Sequence, residues 1–175
     1  MKNELIEISN DLYYDERSAG GLVYKIENNK VFWLLIKTIS NFKSGKNKKK
    51  GKDGSVYKFP KGHLHKNEFL KQAALREVEE EARVKAKIVE KIGSNDYMIW
   101  NEVERKKITK KVSFFLMEYA GKSEMRHNDD EGVLGSYWLT FEAASKKLAY
   151  KSEKLLLERA NRRLEQLIKM GKLEV

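Results

Sequence analysis

The stretch from Gly62 to Val84 constrains the fold of this 175-residue chain more than any other segment. Its spacing of apolar residues predicts an amphipathic helix over 67–83, with Asn67 as the N-cap. One stripe of this helix is apolar and is formed by Ala74, Leu75, Val78 and Ala82. We expect this stripe to face the core of the protein.

Three glutamates form a patch beside the apolar stripe. Glu77, Glu80 and Glu81 fall within about a quarter-turn of one another, whereas the fourth acid, Glu79, points elsewhere. The carboxylates repel, and a divalent cation would convert that repulsion into a binding site. Hard oxygen ligands in a chain without cysteine favour Mg²⁺, with Mn²⁺ as an alternative. The other explanation is a solvated helix face, with Arg76 as an ordinary partner of Glu80.

The order of these residues resembles the Nudix box. That family pattern is Gly, five residues, Glu, seven residues, Arg-Glu, an aliphatic, any residue, Glu-Glu, any residue, Gly and an aliphatic. The matching positions are Gly62, Glu68, Arg76, Glu77, Val78, Glu80, Glu81 and Val84. The departure is Arg83, where the family has a helix-ending glycine. We expect the loss of that left-handed C-cap to cost on the order of 1 kcal/mol.

The resemblance continues outside the box, in the segments 18–21, 59–63 and 137–139. The sequence FPKGH at 59–63 is similar to the branch that includes diadenosine tetraphosphate hydrolases and diphosphoinositol polyphosphate phosphohydrolases. The resemblance implies an α/β (α+β) fold, in which helices sandwich a mixed, curved sheet. It also implies a C-terminal helix after the box helix near 67–83.

We expect the whole chain, 1–175, to form one domain. Short apolar or alternating runs predict strands at 18–26, 31–39, 56–60, 85–100 and 108–120, and a last strand within 133–141. We expect an interruption near Gly93, and a Lys-rich exposed loop at 42–58. A helical pattern runs from Glu142 to Lys172, with a break around Tyr150 to Ser152.

The resemblance also implies a metal site. Glu77, Glu80 and Glu81 would hold Mg²⁺ together with the backbone carbonyl of Gly62. Glu80 is the favoured general base, with Glu77 and Glu81 as the firmer ligands. A further carboxylate from a late loop, for which we choose Glu131, would complete the site. An ordinary acidic turn is the alternative explanation for Glu131.

Other residues of the pattern would support the carboxylates or contact the substrate. Arg76 would orient a glutamate with its fixed fork of donors, and Glu68 would support the patch from beside it. Lys61 and His63 flank Gly62 and are candidates to contact substrate phosphates. For His63, a loop histidine with local hydrogen bonds is the alternative.

Composition limits the partners. Lys and Arg number 36 against 26 acids, a formal net charge of +10, which raises the local concentration of anions such as phosphate-rich small molecules or nucleic acid. The absence of cysteine excludes disulfides, thiolate metal sites and a cysteine nucleophile. No apolar run is long enough to cross a bilayer. We therefore expect a cytoplasmic monomer or homodimer without a membrane partner.

Together these features predict a Mg²⁺-dependent hydrolase that cleaves a phosphoanhydride bond. The expected substrate is a dinucleoside polyphosphate such as diadenosine tetraphosphate. The alternatives are an RNA 5′ pyrophosphohydrolase or decapping-type enzyme, and a pyrophosphatase of ADP-ribose or nucleoside triphosphates. A non-catalytic binding module of the same fold is a further alternative, which three retained and mutually repelling glutamates disfavour.

Overall fold

A mixed sheet with helices on both faces organises the chain. The computed structural model describes residues 14–39, 53–101, 104–124 and 132–173, and within them seven strands and three helices. In chain order these are β1 (Glu16–Glu27), β2 (Lys30–Ile39), β3 (Ser55–Lys58), β4 (Lys61–His63), α1 (Leu70–Ala82), β5 (Val84–Asn101), β6 (Lys106–Lys122), β7 (Val133–Leu139), α2 (Phe141–Lys147) and α3 (Lys151–Lys169). The predicted α/β class is confirmed.

The sheet divides beside β1. Its main path runs β3-β2-β1-β6-β5, with β4 paired to β1 and β7 paired to β2. β1 and β6 are parallel, and the other pairs are antiparallel. β1 pairs with β2 only from Tyr24 onward, whereas its earlier residues pair with β4, so that Ala19 lies opposite Gly62. The division therefore brings the start of the box segment against the central strand.

Each face of the sheet has its own core. In β6, Phe114 and Leu116 pack in the cluster that contains the buried residues of α3, and Phe115 and Met117 pack in the cluster that contains those of α1. All four are at most 2% exposed. A strand that is buried on both faces reads as a continuous apolar run, which is why SFFLM is not alternating.

The start of α1 differs from the prediction. The helix begins at Leu70 with Phe69 as its N-cap, so the prediction of Asn67 as the N-cap is wrong. Asn67 lies in a turn with a left-handed φ of 63°. The side chain of Gln72 supplies the capping contact instead, since its Oε1 accepts the Phe69 N–H at 3.1 Å.

The end of α1 keeps the left-handed C-cap that we expected the missing glycine to remove. Arg83 is the C-cap and adopts the left-handed conformation itself, with φ 56° and ψ 37°. Its N–H donates to the Glu79 carbonyl, and its own carbonyl accepts the N–H of Ser123. The helix thus ends as a glycine would end it, with the strain of a side chain in the left-handed region.

Other elements differ in detail. The predicted strand at 56–60 ends at Lys58, because Pro60 cannot donate to a ladder, and the short β4 that follows was not predicted. The interruption near Gly93 is a register shift within a single strand, β5, rather than a break. The helical C-terminal region is divided, as predicted, between α2 and α3.

Two predictions lie outside the described residues: Glu131, and positions 42–52 of the Lys-rich loop. No helix within the described ranges is both long and apolar enough to cross a membrane.

We predict that Arg83→Gly stabilises the protein. The side chain is exposed, so little packing is lost, and glycine removes the left-handed strain. The free energy of unfolding in urea should rise by about 1 kcal/mol. Lys85→Gly, in the extended backbone of β5, is the matched control and should lower it. An unchanged or reduced stability of Arg83→Gly would contradict the strain at the end of α1.

Candidate functional site

A cavity of about 400 Å³ lies between β4 and α1. Its lining residues are Lys61, Gly62, His63, His65, Arg76, Glu77, Glu80 and Glu81. It therefore contains every candidate residue of the sequence analysis except Glu68, which lies behind Arg76, and Glu131, which is outside the described residues. The three glutamates of the predicted patch face a common space, whereas Glu79 accepts a hydrogen bond from Ser123 on another side of the helix.

The Arg76 guanidinium connects the acids of this cavity. Its Nη1 donates to Glu77 Oε1 at 2.8 Å and to Glu80 Oε2 at 2.7 Å. Its Nε and Nη2 donate to the two carboxylate oxygens of Glu68, at 2.8 and 2.9 Å, and Nη2 also donates to the His63 carbonyl. The hydrogen bonds from Arg76 hold the pKa of Glu68 down at about 2. Arg76 is thus both an i,i+4 partner of Glu80 and the link between α1 and the segment before it.

Glu81 ties α1 to β4. Its Oε2 accepts the Lys61 N–H at 2.6 Å, and its Oε1 accepts Lys58 Nζ at 3.2 Å. The Glu81 side chain is 7% exposed. A charged acceptor in such a site makes a strong hydrogen bond, so this contact fixes the backbone of β4 relative to the helix.

Gly62 lies directly against the Glu77 carboxyl. A Cβ at position 62 would lie 2.2 Å from that carboxyl group, so only glycine allows the approach. The Glu77 side chain is 8% exposed, and burial raises its pKa to about 7 against the opposing effect of Arg76. A buried carboxylate that is incompletely compensated has a strong electrostatic preference for a nearby cation.

The donor set fits a divalent cation. Three carboxylates and the backbone of Gly62 offer hard oxygen ligands at one cavity. Across the described ranges, no three acidic or histidine side chains are already arranged to hold a metal ion. Arg76 instead bridges Glu77 and Glu80, and Lys58 pairs with Glu81. A divalent cation at this cavity would therefore compete with Arg76 and Lys58 for these carboxylates.

Access differs among the three carboxylates. The Glu80 side chain is 27% exposed, compared with 8% for Glu77 and 7% for Glu81. Glu80 is therefore the member of the patch that solvent reaches most readily.

A lysine lies next to His63, one of the residues that line the cavity. Lys110 Nζ lies 2.7 Å from His63 Nε2, and both groups contact Glu16 Oε2, at 3.2 and 3.1 Å. His63 lies in β4, and its two side-chain contacts are with residues 47 positions away in the sequence rather than with local ones. Lys61 is half-buried, and burial lowers the pKa of its amine.

The sequence analysis missed Lys58 and Lys110 as neighbours of the site. Lys110 arrives through the parallel pairing of β1 with β6, in which Glu16 lies opposite Lys110. Lys58 arrives by pairing with Glu81, which is distant in sequence. The chain carries 36 Lys and Arg residues, and nothing in its local pattern marks these two.

The backbone of β1 closes one side of this arrangement. The Gly21 N–H donates to the Pro60 carbonyl at 3.1 Å. A Cβ on Gly20 would lie 2.4 Å from the same oxygen. Glycine at position 20 is therefore required for the segment before β4 to approach the central strand.

Comparisons with known proteins agree with this geometry. Residues 17–159 match the NUDIX domain family. The MutT4 protein of Mycobacterium tuberculosis (strain CDC 1551 / Oshkosh) is 30% identical over 112 residues, which are 64% of this chain but only 44% of that protein. The chain thus spans less than half the length of this relative.

Solved structures share the fold. The Caenorhabditis elegans Ap4A hydrolase binary complex has a TM-score of 0.64 at 22% identity, over 86% of this chain and 98% of that one. The NUDIX domain of Shewanella oneidensis NrtR, complexed with ADP ribose, has a TM-score of 0.57 at 14% identity, over 94% and 99%. Since the family match extends from β1 into α3, the chain belongs to the Nudix family, whose hydrolases are pyrophosphohydrolases that generally use divalent cations.

Proposed function

We propose that this protein is a Mg²⁺-dependent hydrolase that cleaves a phosphoanhydride bond in a dinucleoside polyphosphate, of the diadenosine tetraphosphate kind. The observation that carries the proposal is the convergence of Glu77, Glu80 and Glu81 on one cavity, beside Gly62. The similarity of the fold to that of an Ap4A hydrolase supports this substrate class.

Glu77, Glu81 and the carbonyl of Gly62 are the proposed metal ligands, with Glu80 beside them. When bound, a divalent cation neutralises the charge of the phosphate chain and acidifies water. The protein's own part is to hold these carboxylates at the cavity. Arg76 does so for Glu77 and Glu80 through its Nη1, and the Lys61 N–H does so for Glu81.

Glu80 is the proposed general base. It is the most exposed of the three carboxylates, so a water molecule can reach its oxygens. The water oxygen bonds to phosphorus as the bridging P–O bond breaks, and Glu80 takes the proton of the water. Arg76 keeps the Glu80 carboxylate oriented by donating to its Oε2 from Nη1.

The cavity also carries basic side chains that could contact phosphates. Lys61 and His63 line it together with the carboxylates, and Lys110 lies next to His63. Lys61 and His63 are therefore the proposed contacts for substrate phosphates, and a bound divalent cation would neutralise further phosphate charge. Mn²⁺ is an alternative metal, since it accepts the same hard ligands.

A panel of substrates tests the proposal. Diadenosine tetraphosphate, ADP-ribose, nucleoside triphosphates and a 5′-triphosphorylated RNA are incubated with the protein and Mg²⁺, and the products are separated by chromatography. We expect the dinucleoside polyphosphate to give the highest kcat/KM. Preferred turnover of RNA, falling steeply as salt is raised, would instead establish the RNA 5′ pyrophosphohydrolase.

Glu80→Gln should reduce kcat by about 10²- to 10⁴-fold, because the amide cannot accept the proton of the attacking water. Its circular dichroism spectrum and Tm should stay close to those of the wild type. Glu79→Gln is the matched control, a neighbouring glutamate that faces Ser123 instead of the cavity, and should keep full activity. Full Mg²⁺-dependent hydrolysis by Glu80→Gln would contradict its role as base.

Removal of divalent cations should abolish turnover, since the carboxylates alone would repel the substrate phosphates. Dialysis against a chelator, followed by Mg²⁺ or Mn²⁺, should abolish and then restore hydrolysis. Gly62→Ala should need more Mg²⁺ for half-maximal activity, because its Cβ would collide with the Glu77 carboxyl. Undiminished turnover after chelation would eliminate the metal mechanism.

A further inference from the structure

One buried carboxylate has no part in the proposed chemistry. Glu153 lies in the first turn of α3 and is 1% exposed. Its Oε2 accepts the N–H of Phe59 at 3.3 Å. Phe59 is fully buried in the same apolar cluster as Leu156 and Leu157 of α3. Glu153 therefore joins the C-terminal helix to the residue that begins the FPKGH sequence.

Each backbone N–H group of residues 59–61 donates to a buried glutamate. Between Phe59 and Lys61 the backbone has only two N–H groups, because Pro60 has none. Glu153 accepts the first, and Glu81 accepts the second at 2.6 Å. The carbonyl of Pro60 accepts the N–H of Gly21. The segment 59–61, which we call the clamp segment, is thus held by α3, α1 and β1 together.

The clamp segment sets the position of the site. Lys61 is its last residue, and Gly62, against the Glu77 carboxyl, follows directly. A shift at Phe59 would pass along these few residues to Gly62, because Pro60 restricts the backbone between them. Displacements of about 1 Å at positions that support an active site can cost about a hundredfold in rate.

We propose that Glu153 is a positioning residue for the hydrolysis, acting through its hydrogen bond to the Phe59 N–H to hold the clamp segment and Gly62 against α1. This inference rests on the proposed function. It assigns a role to a residue that reaches neither substrate nor metal.

The cost of burying Glu153 supports this role. Burial raises the pKa of its carboxyl to about 7, with Lys61 and Lys58 opposing the shift. A well-packed apolar side chain at such a position is often more favourable for stability than a carboxylate. Unlike an apolar side chain, the Glu153 carboxylate accepts a hydrogen bond from the backbone N–H of Phe59, and we assign its role to this bond.

Three variants test the proposal. Glu153→Met keeps the approximate volume but cannot accept the hydrogen bond, and should lower kcat about tenfold to a hundredfold. Glu153→Gln keeps an acceptor oxygen and should retain kcat within about threefold. Leu157→Ala, one turn further along α3 and fully buried, is the control for general loosening; it should lower Tm with little change in kcat.

Hydrogen exchange gives a readout that does not depend on turnover. The Phe59 amide should be protected in the wild type and in Glu153→Gln, and should exchange faster in Glu153→Met than in Leu157→Ala. Should Glu153→Met fail to fold, Glu153→Ser, which is too short to reach Phe59, carries the same expectation.

Wild-type kcat in a folded Glu153→Met, or rapid exchange of the wild-type Phe59 amide, would overturn the proposal. Loss of kcat by Glu153→Gln equal to that of Glu153→Met would also overturn it, since charge rather than the hydrogen bond would then matter. A wild type that hydrolyses no polyphosphate would refute the proposed function instead, while hydrogen exchange would still show whether Glu153 holds Phe59.

Discussion

The site depends on one guanidinium group. Three carboxylates on a single helix face repel each other, and Arg76 offsets that repulsion by donating from Nη1 to both Glu77 and Glu80. The same group reaches Glu68 and the His63 carbonyl, so it also fixes the chain before the helix. The planar fork of an arginine can make these bonds in several directions at once, which the point charge of a lysine cannot do.

Arg76 and a bound metal ion would make opposing demands on the same carboxylates. Arg76 stabilises the acids in the arrangement that the structure shows, yet a bound metal would compete with it for Glu77 and Glu80. Competition of this kind makes the metal affinity of the patch depend on how readily the carboxylates leave the guanidinium. Glu81 is held separately, by Lys58 and the Lys61 N–H, so the ligands would be released from different partners.

The features that could be predicted from the sequence are those that depend on local periodicity. The shared face of Glu77, Glu80 and Glu81 follows from helical geometry alone, and most strands follow from runs of apolar residues. The strain at Arg83 was foreseeable, because a residue without glycine's freedom stands where a helix must end. Asn67 was misassigned because a capping residue and a turn residue have the same side-chain chemistry.

What escaped prediction depends on contacts between distant segments. Lys110 reaches His63 only because β1 and β6 pair in parallel, and Glu153 reaches Phe59 only because α3 packs against the sheet. Neither register nor packing angle is written in a local pattern. The roles of the individual glutamates, and the substrate, belong to chemistry that periodicity does not encode.

The glycine at position 20 has a consequence for how variation in this protein should be interpreted. The backbone of β1 at Gly20 lies so close to the Pro60 carbonyl that no methyl group would fit between them. Any side chain at position 20 would collide with Pro60 and Lys61 and displace the FPKGH segment from β1. A substitution in the first strand, far along the chain from every acidic residue of the cavity, would then disturb the cavity without changing any residue that lines it.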